Sequence, residues 1–129
     1  MRKATIGLLV VLCLIIGGSA QNRVPQWKVV KTGILLNGNT ALSGTLFTPS
    51  QSGLYRITGY ISSNTTGNST IFFFWTDING RPVSYDLTGS GGGTPAAVVL
   101  PFFPKAGTPI TYNVFGSYNV AFTLEQLQQ

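Results

Sequence analysis

Asp77, Asp86 and Glu125 are the acids of this 129-residue chain, and it contains no histidine. Without imidazole, His-dependent triads, His-ligated metals and switches that titrate near neutrality are excluded. A serine nucleophile would then need a lysine base, and Lys28, Lys31 and Lys105 stand in no Ser-x-x-Lys spacing. Asp77-Ile78-Asn79-Gly80 begins like a calcium loop, but Arg81 and Pro82 follow where further oxygen ligands are needed. Thr88–Thr94 (TGSGGGT) is glycine-rich yet lacks the Gly-Lys-Ser/Thr ending of a phosphate loop, so it reads as a flexible loop tip. No metal or cofactor is expected, and the chain reads as non-enzymatic. The alternative is a hydrolase with an unconventional site around Asp77 and Asp86. The residues best suited to binding are aromatic: Phe73 and Trp75, with Ser84 and Asp86 beside them.

All four lie in Thr70–Leu87 (TIFFFWTDINGRPVSYDL), where two β-rich runs flank Asn79-Gly80, a strong hairpin signal. With Asn79-Gly80 as a two-residue loop, Ile78 opposes Arg81, Phe74 opposes Tyr85, Trp75 opposes Ser84 and Phe73 opposes Asp86. Phe72, Phe74, Val83, Tyr85 and Leu87 then share one face, the expected core face. Ile71, Phe73, Trp75 and Asp77 share the other with Pro82, Ser84 and Asp86. Aromatic rings beside hydroxyls and a carboxylate suit sugar stacking or a protein hot spot. The leading expectation for these two rings is nevertheless that a neighbouring strand, loop or subunit covers them, since large exposed apolar patches are unusual on monomers. In this register Asp77 and Asp86 lie about 14 Å apart along the strand, wider than the roughly 5–9.5 Å of a glycosidase pair. A different turn would shift the register and swap the faces.

The elements around this hairpin also read as strands. Trp27–Leu36 (WKVVKTGILL) is one bent strand or two short ones, and Leu42–Phe47 is a brief one. Leu54–Ser62 alternates, with Tyr55, Ile57 and Ile61 on one side and Arg56, Thr58 and Tyr60 on the other. Ser63–Ser69 is a polar loop with two glycosylation sequons, at Asn64 and Asn68, relevant only in a eukaryotic secreted protein. Ala96–Leu100 is apolar enough for a buried strand. Pro109–Phe115 and Tyr118–Leu124 alternate, the latter with Tyr118, Val120, Phe122 and Leu124 inward, and a polar tail follows. Roughly eight short strands with no helical periodicity predict an all-β fold, a two-sheet antiparallel sandwich or barrel.

The first twenty residues read as a signal peptide. Arg2 and Lys3 precede the apolar run Ile6–Ile16, and Gly18-Ser19-Ala20 offers a small-residue cleavage site. The run is shorter than the ~18–20 residues that span a bilayer. Cys13, the single cysteine, lies within it, so residues 21–129 hold no disulfide. The expected product is one secreted domain, extracellular or periplasmic, with no membrane span after cleavage. Without Arg2 and Lys3, six basic residues stand against three acids, a net charge of +3 rather than +5. The six are scattered and form no run, which speaks against nucleic-acid binding.

Several landmarks occur in a recognisable order: Phe47…Ser52-Gly53-Leu54-Tyr55-Arg56-Ile57, then Ala106-Gly107-Thr108-Pro109-Ile110-Thr111-Tyr112, then Tyr118…Phe122…Leu124. Over Phe47–Leu124 the chain resembles the tumour necrosis factor superfamily and the globular head of complement component one-q. It is nearest to small stand-alone modules of that fold in bacteria and phages. The resemblance implies a two-sheet jelly roll that assembles as a homotrimer, with Arg56, Thr58 and Tyr60 facing the three-fold axis. The sequence departs from those families in its short length, in having no Gly-X-Y run and in lacking an acid cluster for calcium. Receptor binding and immune recognition are therefore not carried over. The expectation is a homotrimeric interaction module acting in surface binding or adhesion, with an extracellular protein or glycan as ligand. The alternative expectation is a carbohydrate-binding module using Phe73 and Trp75.

Overall fold

Alternating apolar and polar side chains in short β-prone runs give strands, and in a two-layer protein each strand must turn its apolar side inward. The computed structural model describes residues 24–128, and the signal-peptide reading of residues 1–20 lies outside them. Eight strands follow: β1 (Gln26–Gly38), β2 (Leu42–Phe47), β3 (Tyr55–Ser63), β4 (Ser69–Thr76), β5 (Pro82–Gly89), β6 (Ala96–Phe102), β7 (Ile110–Phe115) and β8 (Tyr118–Gln128). β1 is a single strand with register shifts between Val29 and Lys31 and between Lys31 and Ile34. β8 runs through the polar tail to Gln128, because Glu125–Gln128 pair with Gln26–Val29 and, at Glu125 and Gln126, with Arg56 and Tyr55.

The pairing has a simple logic. β1 pairs with β8, β2 with β7, β3 with β6 and β4 with β5, all antiparallel. The chain is thus one long folded ribbon whose tip is the β4–β5 turn. Rolling the ribbon adds the β3–β8 and β4–β7 pairings. The result is two four-stranded sheets, β1-β8-β3-β6 and β2-β7-β4-β5. The protein is an all-β, two-sheet antiparallel jelly-roll sandwich.

Between the sheets lie Tyr55, Ile57, Ile61, Val98, Phe102, Val120, Phe122 and Leu124 from the first, and Leu46, Ile71, Phe73, Trp75, Ile110 and Val114 from the second. Phe73 meets Phe122 edge-on at 5.1 Å between centroids, and Trp75 meets Phe102 at 4.9 Å. Gly59 of β3 (φ +152°) makes room for this packing. A Cβ there would stand 2.0 Å from the Ala121 carbonyl oxygen and 2.6 Å from the Phe122 ring. The faces expected for β3, β7 and β8 are the faces observed.

The hairpin register differs by one residue from the two-residue-loop expectation. Phe73 opposes Tyr85, Phe72 opposes Asp86, Phe74 opposes Ser84 and Trp75 opposes Val83. The cause is Asp77. Its Oδ1 accepts the N–H of Asn79 (2.9 Å) and of Arg81 (2.8 Å), and its backbone oxygen accepts the Gly80 N–H (2.9 Å). Asp77 N–H in turn donates to the Arg81 oxygen (2.8 Å), so Ile78-Asn79-Gly80 form a three-residue loop. Gly80 sits at φ +81°, the left-handed position that such a loop requires at its end. One added loop residue reverses β4 relative to β5. The tip is also docked: Ile78 N–H donates to the Phe103 oxygen and Lys105 N–H to the Thr76 oxygen.

Candidate functional site

The reversal corrects the aromatic site. Phe73 is fully buried and Trp75 is 9% exposed, so both belong to the core, and of the two only an edge of Trp75 reaches the surface, at the groove beside Phe74. Ser84 and Asp86 are exposed, as a binding role requires, but their cross-strand neighbours are Phe74 and Phe72. Phe72 and Phe74, assigned to the core by the expected register, lie on the outer face of the second sheet, each half-buried.

That outer face is a ladder of three strands. Phe72 lies between Asp86 of β5 and Asn113 of β7, and Phe74 between Ser84 of β5 and Thr111 of β7. One row further along, Thr70 lies between Thr88 and Phe115, and the hydroxyls of Thr70 and Thr88 are 2.9 Å apart. Phe72 and Phe74 run nearly parallel (18°) with centroids 6.3 Å apart. Phe115, 45% exposed, meets Phe72 edge-on at 6.0 Å. Phe115, Phe72 and Phe74 thus make a continuous aromatic stripe. A groove of about 450 Å³ adjoins Phe74 at one end, bounded by Thr76, Pro82, Ser84, Pro109 and Thr111. A smaller hollow of about 190 Å³, bounded by Leu42, Ser43, Asn113 and Phe115, lies at the other. Sequence reasoning missed Phe72, Phe74, Thr111, Asn113 and Phe115. The Asp-x-x-Gly pattern of a turn with Asp first and Gly fourth was the available signal.

The structure does not bring Asp77 and Asp86 together. Asp77 is engaged by the turn N–H groups, and Asp86 sits opposite Phe72, five residues along β4, about 17 Å away. The two also face opposite sides of the sheet, which corrects the shared face expected for them. Among the described residues no cluster of three or more metal-ligating side chains occurs.

Glu125 is on the outer face of the first sheet, bound to Arg56 in a two-pronged pair: Nε to Oε2 at 2.5 Å and Nη2 to Oε1 at 3.2 Å. The guanidinium lies 4.2 Å from the centre of the Trp27 ring. The hydrogen bond to Glu125 holds the Arg56 pKa above its ordinary value, its charge adds to this, and partial desolvation works against both. Thr58 and Tyr60 share this face with Arg56, as expected. Around them the surface is apolar and neutral: Leu35 is 72% exposed and Val99 69%. Leu35, Thr58, Tyr60, Ala121 and Thr123 surround a depression of about 310 Å³ over Gly59.

The two sequon asparagines differ. Asn64 Nδ2 donates to Asn37 Oδ1 (3.2 Å) and to the Tyr118 oxygen (2.9 Å), tying the β3–β4 loop to the end of β1 and the start of β8, contacts that a glycan would displace. Asn68 is exposed on the same loop. Among the described residues no helix is long and apolar enough to cross a membrane.

No family model matches the chain, and no curated protein matches it. Among solved structures it is similar to the C-terminal CBM6 of LamC, a marine laminarinase from Zobellia galactanivorans, at 14% identity and TM-score 0.45, over 80% of this chain and 99% of that one. It is also similar to a carbohydrate-binding module of Cellvibrio mixtus lichenase 5A in complex with cellotriose, at 18% identity and TM-score 0.42, over 85% and 92%. A third is the enzymatically active domain of tailspike protein 4 from bacteriophage CBA120, at 15% identity and TM-score 0.45, over 81% of this chain and 18% of that one. At these identities and scores no functional statement follows from the likeness.

Proposed function

We propose that the protein is a binding module that takes a glycan on the outer face of the β2-β7-β4-β5 sheet. One observation carries this reading. Phe72 and Phe74 are each flanked, on both neighbouring strands, by a side chain that can hydrogen-bond: Asp86 and Asn113, Ser84 and Thr111. Sugar rings have apolar faces and hydroxyl edges, so an aromatic surface with polar groups on both sides matches both at once. The test is affinity electrophoresis in gels containing soluble polysaccharides. Phe72→Ala and Phe74→Ala should each weaken retardation about tenfold or more, as expected for a central aromatic anchor. Equal retardation by wild type and both variants refutes the reading.

A second reading concerns the opposite sheet. The apolar surface formed by Leu35, Tyr60 and Val99 supports self-association through the face that carries Arg56, Thr58 and Tyr60. A homotrimer, the finer relationship to the tumour necrosis factor and complement one-q group, and a secreted location all belong to this proposal. They rest on the motifs and the apolar run at the start of the chain. Light scattering tests the assembly: Leu35→Lys with Val99→Lys should convert an oligomer to a monomer. A monomeric wild type at micromolar concentration refutes it.

A further inference from the structure

The charge and shape of the aromatic face narrow its ligand beyond the glycan reading on which this inference rests. Among the described residues, the ladder positions on the same side as Phe72 and Phe74 carry only Ser, Thr, Asn, Phe and Pro side chains besides Asp86. Asp86 is the one ionisable group among them, and it stands directly opposite Phe72 at the centre of the stripe. Arg81 closes the hairpin loop opposite Asp77 and lies outside the β4–β5 ladder. An anionic glycan laid on Phe72 would bring its charge against Asp86 with no base on the ladder to offset it. A neutral sugar would give Asp86 a hydroxyl to accept from, a charge-assisted bond. The shape also discriminates. The stripe does not end in a closed pocket but passes from the hollow at Leu42 and Phe115 to the groove at Thr76 and Pro82. Between the Thr70 row and the Thr76 row β4 rises about 20 Å.

We propose that the ligand is an uncharged, linear glycan bound along β4 by an internal stretch of its chain, rather than an acidic polysaccharide or a chain terminus. The experiment compares wild type, Phe72→Ala and Asp86→Lys in gels of a soluble neutral β-glucan, a soluble mannan and polygalacturonate. Short oligosaccharides of the retained polymer are titrated in parallel. Far-ultraviolet circular dichroism shows whether each variant keeps its β fold. The expected result is Phe72-dependent retardation by a neutral polymer and none by polygalacturonate. Affinity should rise about tenfold or more from disaccharide to an oligosaccharide that spans the track. Folded Asp86→Lys should gain retention on polygalacturonate. Phe72-dependent retention of wild type by polygalacturonate overturns the inference and leaves the glycan reading standing. Equal affinity for a disaccharide and the longest oligosaccharide overturns the internal mode alone. No Phe72-dependent retention by any of the three polymers overturns the inference and the glycan reading together.

Discussion

Phe72 and Phe73 are adjacent in sequence and identical in chemistry, and they should behave as opposites. Phe73 is fully buried, edge-on to Phe122 at 5.1 Å across the sandwich. Phe73→Ala removes a buried aromatic side chain and leaves a cavity between two sheets that cannot close, a loss of about 3–5 kcal/mol. The edge-to-face contact with Phe122 adds roughly 0.5–1.5 kcal/mol to what plain burial provides. For a domain of about a hundred residues, with total stability of order 5–15 kcal/mol, this is a fall in Tm of about 15–25 °C. Phe72 is half-buried and faces solvent, with contacts to Phe74 and Phe115 on the surface. Phe72→Ala should cost about 1 kcal/mol and leave the fold intact while removing ligand retention. The assay is thermal melting by circular dichroism, with affinity electrophoresis on the same preparations. The two-residue-loop register predicts the reverse order of stabilities. Equal losses, or a greater loss for Phe72→Ala, would refute the three-residue loop and everything placed on the outer face.

Three other substitutions test the frame. Asp77→Ala removes the acceptor for the Asn79 and Arg81 N–H groups and should cost about 1 kcal/mol, with Asp77→Asn retaining most of it; equal melts of wild type and Asp77→Ala would refute the turn's role. Gly59→Ala should leave little soluble folded protein, or melt more than 10 °C lower on the order of a 3 kcal/mol loss, because its Cβ would meet the Ala121 oxygen at 2.0 Å; a wild-type melt would contradict that close approach. Tyr55 has its pKa raised above 10.0 by burial, and its hydroxyl donates to the Gln51 oxygen at 3.0 Å. The folded state therefore keeps a proton that the unfolded state loses, so this stability is fully present below about pH 10 and is lost as pH rises through the folded pKa. Urea midpoints from pH 8 to 11 should fall more steeply for wild type than for Tyr55→Phe, and parallel curves would count against it.

The fold was legible where alternation was clean. In β3, β7 and β8 one side is apolar and the other polar or small, so burial could choose only one face. Ile71–Trp75 is different, because five consecutive apolar residues satisfy a core face in either register. There the decision passed to the turn, and the turn depended on one carboxylate capping two N–H groups. An error of a single residue exchanged Phe72 and Phe74 for Phe73 and Trp75 while leaving Ser84 and Asp86 in place. The polar end of β8 was illegible for another reason. Glu125–Gln128 have no apolar pattern of their own and are held by ladder bonds to β1 and β3, which only tertiary structure supplies.

The two outer faces also bear on each other. Self-association through the first sheet would place the second sheet on the outside of the assembly, since the sheets are back-to-back layers of one sandwich. Several aromatic stripes would then face outward from one particle. A long glycan chain or a glycan-coated surface can engage more than one of them, and linked binding events raise overall affinity by about 10²–10⁴ with no new contact. A short oligosaccharide reaches one stripe and gains nothing. Leu35→Lys with Val99→Lys, which lie on the other sheet, should therefore leave oligosaccharide affinity unchanged while lowering retention on insoluble polymer by about a hundredfold. The pair of measurements separates the two faces. If polymer retention is unchanged in a variant shown to be monomeric, assembly contributes nothing to binding. If oligosaccharide affinity also falls, the two faces are not independent.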